Sequence, residues 1–570
     1  MKQPIIKFEN FSFKYQSLQE YTLKSINLEI FEGEKVLITG RSGSGKSTIL
    51  HCLNGIIPFA NTGDIEGDLT ISELEPHKTS IFEISKKVGT ILQDQDSQFI
   101  GMSVGEDTAF SMENDAVPLD KMKQKVVDCL SLVGMEKFLE RNPYELSGGQ
   151  KQRVSLAGIL TSSPEILVFD EPLANLDPAS GKNVVQLIKE INKASGKTIV
   201  VVEHRIEEML ECGIDKVVVV DNGQIVKIGT PSEVLSSGIF EKLGIREPLY
   251  IDVMRYAGID IGKEKISDLS SAVSSINDNI KNKITSYISS SQFNANQIKK
   301  HESEIALKID NVSFSYDKNK PVLKNISFEI KKGEIVTVLG NNGTGKSTLS
   351  FLINGILKPD SGKIFLGTEE ITHWSLKKRG QEIGLIMQNP NSMIVKGMIL
   401  DELELGLKSL GHPKDTITKE VEAALKICEL WPYRNWPVSA LSYGQKKRVT
   451  IGSILTLKPK VIIMDEPTAG QDLMSYKLFM KFVKSLSAQG IAVILITHDL
   501  YLAVEYSTRS IVIADGEKIA DDKPCAIFTM SNILRRANLK ELSLTNLADA
   551  AGIDRETLIS RFIASKGASL

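Results

Sequence analysis

The chain has 570 residues, too long for one compact core at the usual domain size of about 100–200 residues. Its 42% hydrophobic and 24% charged residues are the mix of a folded globular protein, which excludes disorder as the main state. The formal net charge of −3 excludes a generic nucleic-acid binder held by bulk positive charge. Cys52, Cys129, Cys212, Cys428 and Cys525 are widely spaced and form no CxxC pair. A disulfide framework or structural zinc site is therefore not expected, and a reducing cytosol fits.

The start, Met1-Lys2-Gln3-Pro4, moves straight into a strand pattern, so no signal peptide is expected. The apolar run 35–39 then leads into Gly40-Arg41-Ser42-Gly43-Ser44-Gly45-Lys46-Ser47-Thr48 and a helical pattern. Strand, glycine-rich loop and helix in that order make a P-loop. The glycines let backbone N–H groups converge on phosphate oxygens, and the helix N-terminus adds a positive dipole end. Lys46 is placed to reach the β- and γ-phosphates and Ser47 to ligate Mg²⁺, with Thr48 behind. The apolar run 166–169 ends in Asp170-Glu171. An Asp at a buried strand end can hold Mg²⁺, and the following Glu can polarise an attacking water. Two acids capping a turn before Pro172 would be the bland alternative; beside a P-loop it loses. Short β-branched runs at 198–202, 217–220 and 491–496 read as buried parallel strands. No apolar run reaches the ~18–20 residues of a spanning helix, so any work at a membrane requires another subunit to cross it.

The chain then repeats itself. Gly340-Asn341-Asn342-Gly343-Thr344-Gly345-Lys346-Ser347-Thr348 matches the first loop, and Asp465-Glu466-Pro467 matches Asp170-Glu171-Pro172. Two such loops in context leave no room for a ligand-free glycine turn. The tails 239–260 and 533–554 align without gaps, so each half ends in the same small helical appendix. The second tail alone could pass for a DNA-binding helix-turn-helix, a look the first copy lacks. Residues 262–304 turn to Ser, Asn and Lys, linker chemistry with nearly balanced charge. Within them Leu269, Val273, Ile276, Ile280 and Tyr287 suggest a short amphipathic helix packed on its own domain. The expected domains are 1–261 and 305–570, joined by that linker.

Between loop and acid stands Leu146-Ser147-Gly148-Gly149-Gln150, and in the second half Leu441-Ser442-Tyr443-Gly444-Gln445. Here the chain resembles the ABC ATPase family, over nearly its whole length outside the linker. The resemblance implies an α/β fold. It would hold two tandem P-loop NTPase domains, each with a mixed α/β core, an α-helical signature subdomain and a helical C-terminal appendix. Ser147, Gly148, Gly149 and Gln150, like Ser442, Gly444 and Gln445, would cradle phosphate bound to the opposite domain. Two ATPs would then be sandwiched head to tail within one chain. Tyr15 and Tyr316 look like the aromatics that stack on adenine. Core tyrosine is the alternative, and Phe13 and Phe314 on the same strand face weaken the distinction. Gln93 and Gln388 resemble the Q-loop glutamine that touches Mg²⁺ and water. Asn175-Leu176-Asp177 and Gly470-Gln471-Asp472 resemble the D-loop. His204 and His498 resemble the switch histidine; a lone histidine is usually structural, but the matched positions after β-rich runs favour the switch role.

The stretch Gln93-Asp94-Gln95-Asp96-Ser97-Gln98-Phe99-Ile100-Gly101, with Val104, Glu106-Asp107 and Ala109-Phe110, looks like the ATPases of energy-coupling-factor importers of vitamins, cobalt and nickel. The second half keeps Gln388-Asn389-Pro390-Asn391 and then departs. Gly244 to Tyr250 is also similar to that group's fused two-ATPase members. The resemblance implies ATP and Mg²⁺ as cofactors. It also implies a transmembrane coupling subunit and a small substrate-binding membrane protein as partners, at the cytoplasmic face of the membrane. A soluble tandem ABC ATPase acting on ribosomes or DNA would bring a charged interdomain arm, zinc cysteines or long coiled coils, and none is present. An exporter ATPase differs only in the stretch after Gln93. Finally, Tyr443 at the place of Gly148 cannot readily take φ > 0. The site built on Lys46 and Glu171, which would face it, is therefore expected to turn over less than the site of Lys346 and Glu466.

Overall fold

The structure is a computed structural model and describes residues 3–93, 98–174, 176–290, 304–317, 320–468 and 473–568. It divides into two compact units, Met1–Tyr287 with Ala550–Gly552, and Ile288–Asp549 with Ile553–Leu570. In the first unit β1 (Pro4–Tyr15), β2 (Leu23–Phe31) and β4 (Gly63–Ile71) form an antiparallel sheet of order β2-β1-β4. A second sheet carries β3 (Lys35–Gly40), β5 (Val88–Ile91), β6 (Ile166–Asp170), β7 (Thr198–Val202), β8 (Lys216–Asp221) and β9 (Gln224–Gly229). Its order is β5-β6-β7-β3-β8-β9, parallel except for the last pair.

The second unit repeats this plan. β10 (Ile305–Asp317), β11 (Lys320–Lys331), β13 (Ser361–Leu366) and β14 (Glu369–Glu370) form the sheet β11-β10-β13-β14. β12 (Ile335–Leu339), β15 (Ile383–Ile386), β16 (Val461–Asp465), β17 (Ala492–Ile496), β18 (Arg509–Ala514) and β19 (Glu517–Asp522) form the sheet β15-β16-β17-β12-β18-β19.

The parallel strands are near-continuous runs of Val, Ile and Leu because both faces are covered. In β12, Ile335 packs with the helices of one face, among Leu403, Val449 and Phe479. Val336 and Val338 pack on the other, among Phe314, Leu323 and Leu349. That period-two division puts the P-loop helix on one side and the signature helix on the other.

The helical layer of the first half holds Val104–Asn114, Leu119–Leu132 and Gly148–Thr161, and that of the second Ile399–Ser409, Lys414–Ile427 and Tyr443–Leu455. Each half carries short helices after its sheets, Pro231–Ser236, Ile239–Leu243 and Leu249–Tyr256 in the first and Pro524–Ile527, Ser531–Arg536 and Ser543–Ala551 in the second, where the longer Arg555–Ala568 follows. The segment beyond 262 folds further than a plain linker. It carries helices Leu269–Ser274 and Asp278–Ser289, and Tyr287 stacks on Tyr256 with ring centroids 6.0 Å apart. The first unit thus extends to Tyr287. Residues 291–303 lie outside the described residues.

Candidate functional site

In each half the P-loop, the paired acids and the histidine follow the carboxyl ends of parallel strands. The loop Gly40–Thr48 leaves β3 and enters helix Lys46–Leu53; its counterpart leaves β12 and enters helix Lys346–Asn354. At Gly40 a Cβ would lie 2.0 Å from the Val220 carbonyl oxygen, so only glycine lets the loop pass β8. Gly45 caps the helix at φ 104°, in the region that favours glycine. Lys46 is buried, and its Nζ donates to the carbonyls of Gly40 (3.1 Å) and Arg41 (2.8 Å). Lys346 Nζ donates to Gly340 (2.8 Å) and Asn341 (2.7 Å). Each ammonium is thereby held across the mouth of its own loop.

Asp170 and Asp465 end β6 and β16. Burial, and next the charge of Glu171, push the Asp170 carboxyl up to about 6, against the opposing pull of Lys46. Asp465 is raised by burial too, although Ser347 Oγ donates to its Oδ2 at 2.8 Å. A buried carboxylate in want of positive charge beside a serine hydroxyl is a set of hard oxygen donors that suits Mg²⁺.

Glu171 and Glu466 both adopt left-handed backbone, φ 47° and 44°. Each is pinned by its own N–H, which donates to Val202 (2.9 Å) or Ile496 (2.8 Å). Burial raises both carboxyls, but the partners prevail and hold them below the usual range. For Glu171 these are the hydrogen bond and charge of His204, with Lys46. For Glu466 they are the charge and hydrogen bond of His498, then Thr497 and Lys346. Adjacent acids with carboxyls driven in opposite directions are suited to different roles in one site. His204 Nε2 lies 3.3 Å from Glu171 Oε1, and Gln93 Nε2 donates to Glu171 Oε2 at 2.8 Å. His498 uses its other ring nitrogen, Nδ1, 2.6 Å from Glu466 Oε1. The structure thus brings the P-loop lysine, the paired acids and His204 or His498 together in each half, and joins Gln93 to them in the first.

Tyr15 and Tyr316 are separated from their phenylalanine neighbours by burial. Phe13 is fully buried and Tyr15 half-buried, and Phe314 is buried whereas Tyr316 is 64% exposed. Both hydroxyls meet the P-loop threonine, Tyr15 with Thr48 (3.3 Å) and Tyr316 with Thr348 (3.2 Å). Each ring packs edge-on against its phenylalanine, at 4.8 and 4.9 Å.

Ser147 and Ser442 N-cap the signature helices in reciprocal capping boxes with Gln150 and Gln445. Neither Gly148 nor Tyr443 has positive φ; each is the first residue of its helix. The conformational reason for a weaker Tyr443 cradle therefore fails, because the first turn of a helix accepts tyrosine. Instead the Tyr443 hydroxyl donates to the Gln388 carbonyl at 3.0 Å and ties the signature helix to the glutamine loop of its own half.

Asp177 caps helix Pro178–Ser195 through the N–H groups of Ala179 (3.1 Å) and Ser180 (3.0 Å). Asn175 and 470–472 of the D-loop positions, and 94–97 after Gln93, lie outside the described residues. Asp107 accepts the N–H groups of Ile100 (2.8 Å) and Gly101 (3.1 Å), as Glu402 does those of Val395 and Lys396. Those acids hold a loop.

Sequence reasoning missed Glu203 and Thr497, the residues just before the two histidines, and Lys447 behind the second signature motif. Aligning the two halves would have exposed all three, since each differs from its counterpart in charge.

The ABC transporter family matches residues 23–174 and 323–469, and a family described as ATP-binding cassette cobalt transporter matches 237–314. A Bacillus cereus protein, provisionally named an ABC transporter ATP-binding protein, is 49% identical over 97% of this chain and 96% of its own length. A similarly named Clostridium perfringens protein is 48% identical over 96% of this chain and 95% of its own. CbiO1 of Clostridium perfringens, described as part of the ABC transporter complex CbiONQ, is a solved structure. It is 34% identical over 41% of this chain and 95% of its own, with a TM-score of 0.38. The chain belongs to the ABC transporter ATP-binding family, with two ATP-hydrolysing domains on one polypeptide.

Proposed function

We propose that the chain is the energy-coupling ATPase of an energy-coupling-factor-type importer for a vitamin, a vitamin precursor or a transition metal ion. The observation that carries this reading is the match of 237–314 to the ATP-binding cassette cobalt transporter family. The glutamine-loop stretch from Gln93 to Phe110 agrees with it. No helix among the described residues is long and apolar enough to cross a membrane. The net charge of −3 gives no strong pull to anionic lipid. The chain would therefore attach to the cytoplasmic face through a transmembrane coupling subunit and a small substrate-binding membrane protein, without nucleic acid.

In this reading domains 1–261 and 305–570 pair head to tail. Tyr15 and Tyr316 stack on adenine, the two glycine loops hold the phosphates, and the opposite signature motif closes each site. Ser47, Gln93 and Asp170, or Ser347, Gln388 and Asp465, hold Mg²⁺, which would neutralise charge on the phosphates. Glu171 and Glu466 take the proton of the attacking water or orient it, and His204 and His498 sense the γ-phosphate.

The test has two parts. A Glu171→Gln/Glu466→Gln chain should bind two ATP at saturation and lose hydrolysis about 10²–10⁴-fold, the usual worth of a positioned base. One bound ATP, or parental turnover, contradicts the site assignment. Coexpression with candidate coupling subunits should recruit the chain to membranes and support uptake of cobalt, nickel or a vitamin that the double variant abolishes. Tight binding to pure lipid vesicles, or export instead of uptake, contradicts the importer reading.

A further inference from the structure

The residues before the two switch histidines occupy the same backbone place. Glu203 N–H donates to Ile38 and Thr497 N–H to Val338, each at 3.2 Å, from the strand that leads into the P-loop. Their side chains do different things.

Glu203 is buried, and all its bonds go to backbone. Oε2 accepts the N–H of Leu173 (3.0 Å), and Oε1 those of His204 (2.7 Å) and Arg205 (3.1 Å). Arg205 reinforces the same turn by donating to the carbonyls of Leu173 (3.1 Å) and Leu176 (3.2 Å). The first half thus spends this position on clamping the chain just after Glu171.

Thr497 is fully buried and touches the catalytic glutamate itself. Its Oγ1 accepts the N–H of Asp499 at 2.9 Å and lies 2.9 Å from Glu466 Oε2. A backbone N–H can only donate, so the hydroxyl proton is committed to Glu466. The other oxygen of Glu466 accepts the His498 N–H (3.0 Å) and faces His498 Nδ1. Three contacts from two adjacent residues fix the carboxylate plane. Glu203 makes no such contact in the first half, since both its oxygens are taken up by backbone N–H groups.

We propose that Thr497 is a positioning residue of the second ATP site, whose hydroxyl holds the Glu466 carboxylate in its working orientation. Glu203 gives up that role in the first half to clamp the backbone. The inference rests on the assignment of Glu171 and Glu466 as the catalytic glutamates.

The experiment compares Thr497→Val, Thr497→Ser and the parent, all carrying Glu171→Gln to silence the first site, in single-turnover ATP hydrolysis, with ATP affinity measured separately by equilibrium dialysis. Thr497→Val keeps the shape and removes the proton. It should slow hydrolysis about tenfold, the loss of one positioning bond of about 1.4 kcal/mol, with ATP affinity unchanged. Thr497→Ser restores the hydroxyl and should stay within about threefold of the parent. If Thr497→Val does not fold, Thr497→Ala against Thr497→Ser reads the same contrast. Parental rates in the variants lacking the hydroxyl, a serine variant as slow as the valine one, or a fall in affinity equal to the fall in rate each overturn the inference. Parental hydrolysis by the Glu171→Gln/Glu466→Gln chain is a separate outcome. It overturns the glutamate assignment, and the inference with it, before Thr497 is touched.

Discussion

Lys447 and Gln152 show how the two halves meet one demand with different chemistry. Gln152 Nε2 donates to the Pro172 carbonyl at 2.9 Å, and Lys447 Nζ to the Pro467 carbonyl at 2.8 Å. Lys447 is 2% exposed, and burial pushes its ammonium down to about 8, against the favourable charge of Glu466. The folded protein therefore binds that proton less tightly than the unfolded chain does. Stability from this group is fully present above the unfolded value of 10.5 and is lost as pH falls to about 8. Lys447→Gln, which installs the first half's residue, should stabilise the chain at pH 7 by on the order of 1–3 kcal/mol. Melting curves from pH 7 to 10.5 check this, since the variant's advantage should shrink as pH rises. At this scale the sequence was legible where a motif names the residue, as at Lys46, Asp170 and Glu171. At Glu203 and Thr497 an alignment of the halves marks the positions but not what they do. Their roles depend on which backbone groups a tertiary turn brings within reach, and no spacing encodes that.

The helix after each P-loop shows the same divergence among elements. Helix Lys346–Asn354 ends with carbonyls that lack intrahelical partners. Arg379, 1% exposed, donates to Leu352 (2.7 Å), Ile353 (3.2 Å) and Ile371. In the first half the matching residue is Ile84, which packs beside Gly55 as Arg379 does beside Gly355. Arg379→Ala would leave buried carbonyls unpaired and open a cavity. We expect a loss of about 3 kcal/mol or more, read as a fall in the denaturant midpoint. Elements themselves were largely readable, because buried parallel strands and the P-loop helices announce themselves by composition and glycine. The signature motif carried a second message that went unread. Ser147 to Gln150 and Ser442 to Gln445 have the S-x-x-Q spacing of a capping box. That box explains why tyrosine is accepted at 443: the position belongs to a helix and not to a strained loop.

For the whole chain the internal repeat revealed two domains, and the linker composition marked where one yields to the other. Within that linker Ile280 and Tyr287 already read as the apolar face of a helix packed on its own domain, and helix Asp278–Ser289 buries both together with Ile284. The cysteines give a test of both units at once. All five are buried, and burial pushes the thiol of Cys212 up to about 11 and that of Cys428 up to about 12. The reactive thiolate is therefore suppressed. The native chain should release less than one equivalent of thionitrobenzoate from Ellman's reagent over minutes at pH 8, and all five in guanidinium. Rapid reaction of a native thiol would show that one of the two units opens readily.

The left-handed backbone at Glu171 and Glu466 has a consequence for anyone who engineers this protein. A side chain with a Cβ pays about 1–3 kcal/mol to sit there, and glycine or asparagine would sit more easily. The chain tolerates that frustration twice, at φ 47° and φ 44°, once in each half. A search for thermostabilising substitutions would be drawn early to these two positions, and under the role proposed for both glutamates the hardier protein it returned would no longer turn over ATP.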